Sequence, residues 1–355
     1  MEDMEPRVIR VDADVHQGVD EAFWARFPLP WRRMRPGAAV IWPAHGLGHT
    51  GYRSDVHTET GELHDTKPQD VVERLLEPYG IDIAILTGNA GLLGVSSHPN
   101  STFGVNFSQA YNDWLIEEWL GHDPRLKGSM VIAPLDVRAS VAEIERVGGH
   151  PEIVQVIMPS NSNRLYGDRY FWPIYAAAAD KGLPVAIHPS GGTVVPPSAA
   201  GWPTTYLEAH TMLATEYLNH MISLACQGAF EEIPALKFVF IEGGVATFAP
   251  ILWRLEKNWK GVRAEVPWMV ESPRAYLETN FRFTTQPIEE PEDPELLRRI
   301  FADLSADKSI LFASDWPHWD FDDPVAALRP LSDGLKARIL GQNALELYGL
   351  EVPTS

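Results

Sequence analysis

Five residues of metal-ligand type stand where short apolar runs give out. Asp14 and His16 close RVIRVDADVH, His188 ends LPVAIH, Glu242 ends KFVFIE, and Asp315 follows SILFAS. Asp14 and His16 are two apart, so on an extended chain they project to the same side. Carboxylate oxygens and neutral imidazole nitrogens are donors a divalent ion takes, and they serve only when deprotonated and brought together from separate segments. Each has an ordinary reading too: D-x-H is short enough that Asp14 alone could cap a turn, and a single strand-end histidine is commonly a hydrogen-bonded core residue. Their coincidence at the ends of apolar runs points to a metal site. The alternative is a scaffold whose polar residues only satisfy one another.

Those residues need elements that bring them to one place. Candidate strands run over 7–14, 81–88, 127–136, 154–160, 183–190, 237–244, 276–285 and 309–316, near-continuous in Val, Ile, Leu and Phe, as strands buried on both faces are. Helical periodicity falls between them at about 69–79, 106–120, 138–148, 170–181, 206–230, 246–259 and 292–304, with closing helices over 323–349. Eight strands alternating with helices predict a (β/α)₈ TIM barrel, one domain over 1–355, in which strand C-termini and the loops after them share one mouth. An open doubly wound sheet is the alternative. It is disfavoured because no Gly-rich phosphate loop follows the first strand and GxxxxGK[ST] is absent. GLGHTG at 46–51 matches GxGxxG, but the residues after it show no helical period. Two stretches break the alternation: a Pro-, Gly-, Trp- and His-rich insertion over 17–68, expected to act as a lid, and a Gly/Pro/Ser loop over 189–205.

Composition removes other classes. The 355 residues carry 29 Lys plus Arg against 48 Asp plus Glu, a net charge of −19 that repels phosphate backbones and anionic headgroups. No nucleic acid and no membrane partner is expected, since no stretch approaches the roughly 20 apolar residues of a spanning helix. The acidic start MEDMEPRVIRVDADVH lacks the basic and apolar regions of a signal peptide, so a soluble cytoplasmic protein is expected. The single cysteine, Cys226, against twelve histidines means that a metal site must use nitrogen and oxygen donors.

VDADVH at 11–16, MPSNSNRLYGDRYFWPIYAAAADKGLPVAIHPSGG ending at 192, EEIPALKFVFIEGG at 231–244 and FASDWPHWD at 312–320 resemble the aminocarboxymuconate-semialdehyde-decarboxylase-like branch of the metal-dependent amidohydrolase superfamily. The resemblance spans about 8–349 apart from the insertion. It implies one divalent ion per chain, zinc or manganese, bound by Asp14, His16, His188 and Asp315. It also implies a homodimer and a small-molecule substrate. Asp315 would take a proton from metal-bound water, whose pKa an ion lowers towards about 7. The activities implied are non-oxidative decarboxylation of small aromatic or unsaturated acids or, alternatively, hydrolysis of an amide, lactone or ester. A non-catalytic ligand-binding barrel is the competing class.

One departure from the family pattern matters. Where many members carry a histidine at the end of strand six, this chain has Glu242, which could do acid/base work, bind the ion or only hydrogen-bond loops. To act as an acid at neutral pH its carboxyl must be raised by burial. Asp14 likewise departs from the commoner first-strand histidine. His318 could line the pocket or support the metal shell. His210 and His220 read as helix surface or interface. His45, His49, His57 and His64 read as parts of a solvated lid, Gly46, Gly48 and Gly51 arguing against a helical His45/His49 pair. Trp24, Trp31, Trp42, Trp202 and Trp316 fall in or beside mouth loops, where they could clasp a flat substrate or simply pack. Arg53 and Arg164 could pair with a substrate carboxylate.

Overall fold

The computed structural model describes residues 7–34, 51–57, 63–190, 198 and 200–353. Eight strands form one parallel sheet in sequential order: β1 (Val11–Val15), β2 (Ile83–Leu86), β3 (Leu126–Val131), β4 (Ile153–Pro159), β5 (Val185–His188), β6 (Phe238–Phe240), β7 (Phe281–Thr284) and β8 (Ile310–Leu311). The order closes on itself through the residues that follow β8. Val15 bridges Trp316 in parallel, the Ala13 amide donates to Phe312 O (2.9 Å), and the His16 amide donates to Trp316 O (2.8 Å). Asp12 fastens the same seam, accepting from the Ser314 amide (3.0 Å) and hydroxyl (2.5 Å). The (β/α)₈ barrel expected from the strand count is the observed fold.

Almost every strand residue is buried, which is why the strands read as apolar runs with no alternation. Phe238, Phe240, Phe281 and Phe283 pack between β6 and β7, with Phe248 from the following helix at 4.3 Å from Phe283 between ring centroids. The crossover helices begin at side-chain caps: Asn100 before Ser101–Trp114, Asp136 before Val137–Val147, and Thr205 with Glu208 in a capping box before Tyr206–Gln227. Gly228 stops that last helix in a left-handed conformation (φ 86°), so the helix expected over 206–230 is a long helix and a separate turn, Ala229–Glu232.

Two other expectations are corrected. The strand expected over 276–285 begins only at Phe281, because Ser272 caps a helix, Pro273–Thr279, whose first turn holds a proline and which buries Tyr276 and Leu277. The closing helices start at Asp333 rather than 323. Of the 17–68 insertion, Glu21–Ala25 is a helix under an Asp20 cap, and residues 51–57 lie along the loop after β8: Tyr52 bridges His318, and the Arg53 amide donates to Pro317 O (2.9 Å). Trp42, His45, His49 and most of the GLGHTG run lie outside the described residues. Among the described residues no helix is long and apolar enough to cross a membrane.

Candidate metal centre

At the C-terminal end of β1 the two-residue spacing sends Asp14 and His16 into the barrel mouth, where His188 arrives from β5, Glu242 from just past β6 and Asp315 from just past β8. His16 Nε2 lies 3.5 Å from Asp14 Oδ1 and 2.9 Å from Asp315 Oδ1. His188 Nε2 lies 3.4 Å from Asp14 Oδ2 and 3.1 Å from Glu242 Oε2. One donor atom each from Asp14, His16, His188 and Glu242 fall within 4.8 Å of one another, and His16, Asp315 and His318 form a second such group.

The hydrogen bonds on the outer side of each donor explain the orientation of the inner side. His16 Nδ1–H donates to Gly88 O and His188 Nδ1–H to Pro189 O, both at 2.6 Å, which turns each Nε2 inward. Thr87 Oγ1 donates to Asp14 Oδ1 at 2.6 Å. What remains is three buried atoms with no hydrogen-bond partner, Asp14 Oδ2, His16 Nε2 and His188 Nε2, all at this one point. Buried polar atoms normally find partners, and a cation is the partner that suits lone pairs facing lone pairs. The residues therefore fit a divalent ion.

Glu242 and Asp315 share a backbone feature. Both sit at φ 60°, in the left-handed region that non-glycine residues seldom adopt and that costs about 1–2 kcal/mol. The Glu242 amide is held there by Thr284 Oγ1 (3.0 Å), and the Asp315 amide by Asp14 O (3.2 Å). Such conformations persist where the surroundings over-determine them, characteristically at functional sites.

The electrostatics follow from burial and crowding. Burial, reinforced by the Asp315 charge, raises the Glu242 carboxyl above its ordinary range, with His188 opposing. Burial would raise Asp315 as well, but the His318 charge and hydrogen bond, with His16 Nε2 close by at 2.9 Å, hold it well below the usual carboxylate range. His318 Nδ1 donates to Asp315 Oδ1 at 2.6 Å. Its burial favours the neutral ring, yet Asp315 outweighs that and lifts it to about 9. His188 is likewise pushed well above its ordinary value, the charges of Asp14 and Glu242 overcoming burial.

Several participants carry no strand-end signal in the sequence. Gln286 Nε2 bridges Asp315 Oδ2 (3.1 Å) and Asp320 Oδ2 (2.9 Å). His210, expected on a helix surface, reaches the mouth from the first turns of Tyr206–Gln227, with Nε2 3.3 Å from Asp320 Oδ2 and 3.9 Å from Glu242 Oε1. It stacks on Tyr206 and tilts against Trp319, while Tyr52 packs on His318. His220, expected at the same surface, is a core residue: Nε2–H donates to Ser160 O (2.8 Å) and Nδ1 accepts from the Tyr166 amide (3.1 Å).

Other expected participants are engaged elsewhere. Arg53 is bidentate on Asp55 (2.9 and 2.7 Å) and lies 4.2 Å over Phe321, and Arg164 pairs with Asp168 at 3.2 Å. Trp24 stacks on Phe27, Trp31 packs on Phe103, Trp316 is buried, and Trp202 is exposed. His64 faces Asp70 at 3.5 Å. Among the described residues no Lys or Arg forms an ion pair with Asp14, Glu242, Asp315 or Asp320.

A parallel eight-stranded barrel that gathers buried imidazoles and carboxylates at its mouth defines a class of α/β barrels built to present oxygen and nitrogen donors together. The chain belongs to the amidohydrolase family, whose model matches residues 54–350. It is 24% identical over 297 residues to 2-amino-3-carboxymuconate-6-semialdehyde decarboxylase of Dictyostelium discoideum, covering 79% of this chain and 77% of that one. The fold is similar to an amidohydrolase of Mycobacterium avium subsp. paratuberculosis (TM-score 0.74, 19% identity, 97% of this chain and 100% of that one). It is also similar to a dihydroxybenzoic acid decarboxylase of Polaromonas sp. JS666 with bound manganese and 2-nitroresorcinol (TM-score 0.68, 20% identity, 97% of each chain).

Proposed function

We propose that the protein is a metal-dependent enzyme, a non-oxidative decarboxylase of a small aromatic or unsaturated carboxylic acid, working with one divalent ion, manganese or zinc, held by Asp14, His16, His188 and Asp315. The observation that carries this reading is the convergence of three buried, unpartnered donor atoms, Asp14 Oδ2, His16 Nε2 and His188 Nε2, at the barrel mouth. Similarity to decarboxylases supports the reaction type. An ion bound there supplies Lewis-acid polarisation of the substrate's carboxylate and a neighbouring oxygen.

The chain's own groups do the rest. The Gly88 and Pro189 carbonyls keep both imidazoles turned inward, and Thr87 and Gln286 keep Asp14 and Asp315 in place. His318, which keeps its proton up to about 9 and donates it to Asp315 Oδ1, forms with Asp315 a pair suited to relay that proton to the substrate carbon as the bond to the departing carboxylate breaks. Tyr206, His210 and Trp319 form an aromatic side to the approach, suited to a flat substrate. A lid role for the 17–68 insertion is supported by its residues 51–57, which run along the loop after β8.

A second reading, hydrolysis of an amide, lactone or ester, is favoured by one specific feature: a carboxylate, Glu242, stands where an imidazole is usual in the family. The deciding experiment loads the protein with Mn²⁺ or Zn²⁺ and measures CO₂ release from dihydroxybenzoates and 2-amino-3-carboxymuconate semialdehyde, beside cleavage of aryl amides and lactones. CO₂ release that disappears together with bound metal in His188→Ala is the expected result. Cleavage without CO₂ selects the second reading. Protein that takes up no metal and turns over nothing overturns both and leaves a ligand-binding barrel.

A further inference from the structure

Beside the four ligands just proposed stands the carboxylate of Glu242. Glu242 Oε2 is nearer to His188 Nε2 (3.1 Å) than Asp14 Oδ2 is (3.4 Å), yet His188 Nε2 makes no hydrogen bond to either. It is Glu242, with Asp14, His16 and His188, that completes the tight four-donor group, whereas Asp315 groups with His16 and His318 and is tethered outward by Gln286. Glu242 is 7% exposed. Its backbone sits in the left-handed region that glycine adopts more readily, with its amide donating to Thr284 Oγ1.

We infer that Glu242 is itself a ligand of the divalent ion, so that β6 contributes a carboxylate to the coordination sphere in place of a free acid/base group. This rests on the metal-dependent reading above. A plain ion pair between Glu242 and a protonated His188 is the competing account, but it would place a linear hydrogen bond between Nε2 and one carboxylate. Instead the nitrogen faces two carboxylates, from Asp14 and Glu242, and bonds to neither. A cation among them satisfies all three at once. The ion then meets three carboxylates and two imidazoles, an oxygen-rich donor set of the kind that suits Mn²⁺. The acid/base duty left open at β6 falls to groups on other elements.

The test is direct binding of Mn²⁺, followed by the loss of its free-ion EPR signal and by chelator competition, in the intact protein and in Glu242→Gln and Glu242→Asp. Glu242→Gln is nearly isosteric and should weaken Mn²⁺ binding by at least about tenfold, the loss that even outer partners of a metal site produce. Glu242→Asp, which keeps the charge on a shorter arm, should retain an intermediate affinity. Near-UV circular dichroism establishes that both variants are folded. Affinity in folded Glu242→Gln within about twofold of the unaltered protein overturns this inference alone. Unaltered protein that takes up no ion overturns this inference and the reading beneath it together.

Discussion

His220 makes the barrel sensitive to acid through a group that is not one of the proposed ligands. The ring is buried between the helix Tyr206–Gln227 and the loop after β4. Both nitrogens are in use, Nε2–H donating to Ser160 O and Nδ1 accepting from the Tyr166 amide. A second proton on Nδ1 would break the bond to Tyr166 and bury a charge, so burial lowers the group from 6.5 to about 4. Unfolded chains take up that proton below about 6.5, while the folded protein refuses it down to about 4. In this window the unfolded state binds more protons, and stability falls as pH falls. The contribution is fully present above about 6.5 and gone below about 4. At about 1.4 kcal/mol per pH unit the loss amounts to about 3 kcal/mol. His220→Gln offers one donor and one acceptor but takes no proton. Urea unfolding of both proteins, followed by circular dichroism at pH 7, 6, 5 and 4, should show the stability advantage of the unaltered protein shrinking by about 3 kcal/mol across the series. Glu216, the nearby carboxylate bonded to Ser160 and Asn161, titrates in both proteins and cancels in the difference. Stability curves that stay parallel within about 0.5 kcal/mol would refute the argument.

Other outcomes are equally open to measurement. Thr87→Val removes the hydroxyl that holds Asp14 Oδ1 and should weaken metal binding by about 10–100-fold in the same EPR titration, with little change in urea midpoint. Phe240→Ala empties a fully buried site among Phe238, Phe248, Phe281 and Phe283 and should cost about 3–5 kcal/mol in urea unfolding. A Cβ at Gly167 would lie 2.2 Å from the Ser223 carbonyl oxygen, so Gly167→Ala should cost at least about 1–3 kcal/mol, read as a lowered urea midpoint. Arg164→Ala should leave KM for any active carboxylate substrate within about twofold, because its guanidinium pairs with Asp168 at the surface.

The barrel and its strand-end donors were legible because one physical fact produces both signals. A strand buried on both faces reads as an unbroken apolar run, and the first polar residue after it marks the mouth. His188 and Glu242 obey that rule directly, while Asp14 and His16 follow Asp12 at the end of β1 and Asp315 follows Ser314. His210, Gln286 and Trp319 do not obey it, since they reach the mouth from a helix or from loop residues whose neighbours carry no period. The acid-rich run after Asp315, HWDFDD, was a usable signal for Asp320, which binds Gln286 and faces His210. The misplaced start of β7 has a local cause as well: Tyr276 and Leu277 look strand-like, but the Ser272–Pro273 pair ahead of them is a helix start. Arg53 shows the limit of reading charge from sequence. Its nearest acid is two residues away and claims it.

The seam between β1 and β8 has a bearing on when the site can exist. Asp12 and Ser314 are joined across 302 positions, and His16 meets Asp315 at the same junction. Until the chain has been made as far as β8, β1 lacks one neighbour and the mouth lacks Asp315 and His318. Bringing such distant segments together carries the loop-closure cost of a long-range contact. The donors on either side of the junction would be clasped by whatever cation they bind. On the proposed reading the ion therefore acts as a staple as well as a reagent. It would join the first strand to the last and hold the ring shut at the point where the polypeptide itself does not run across.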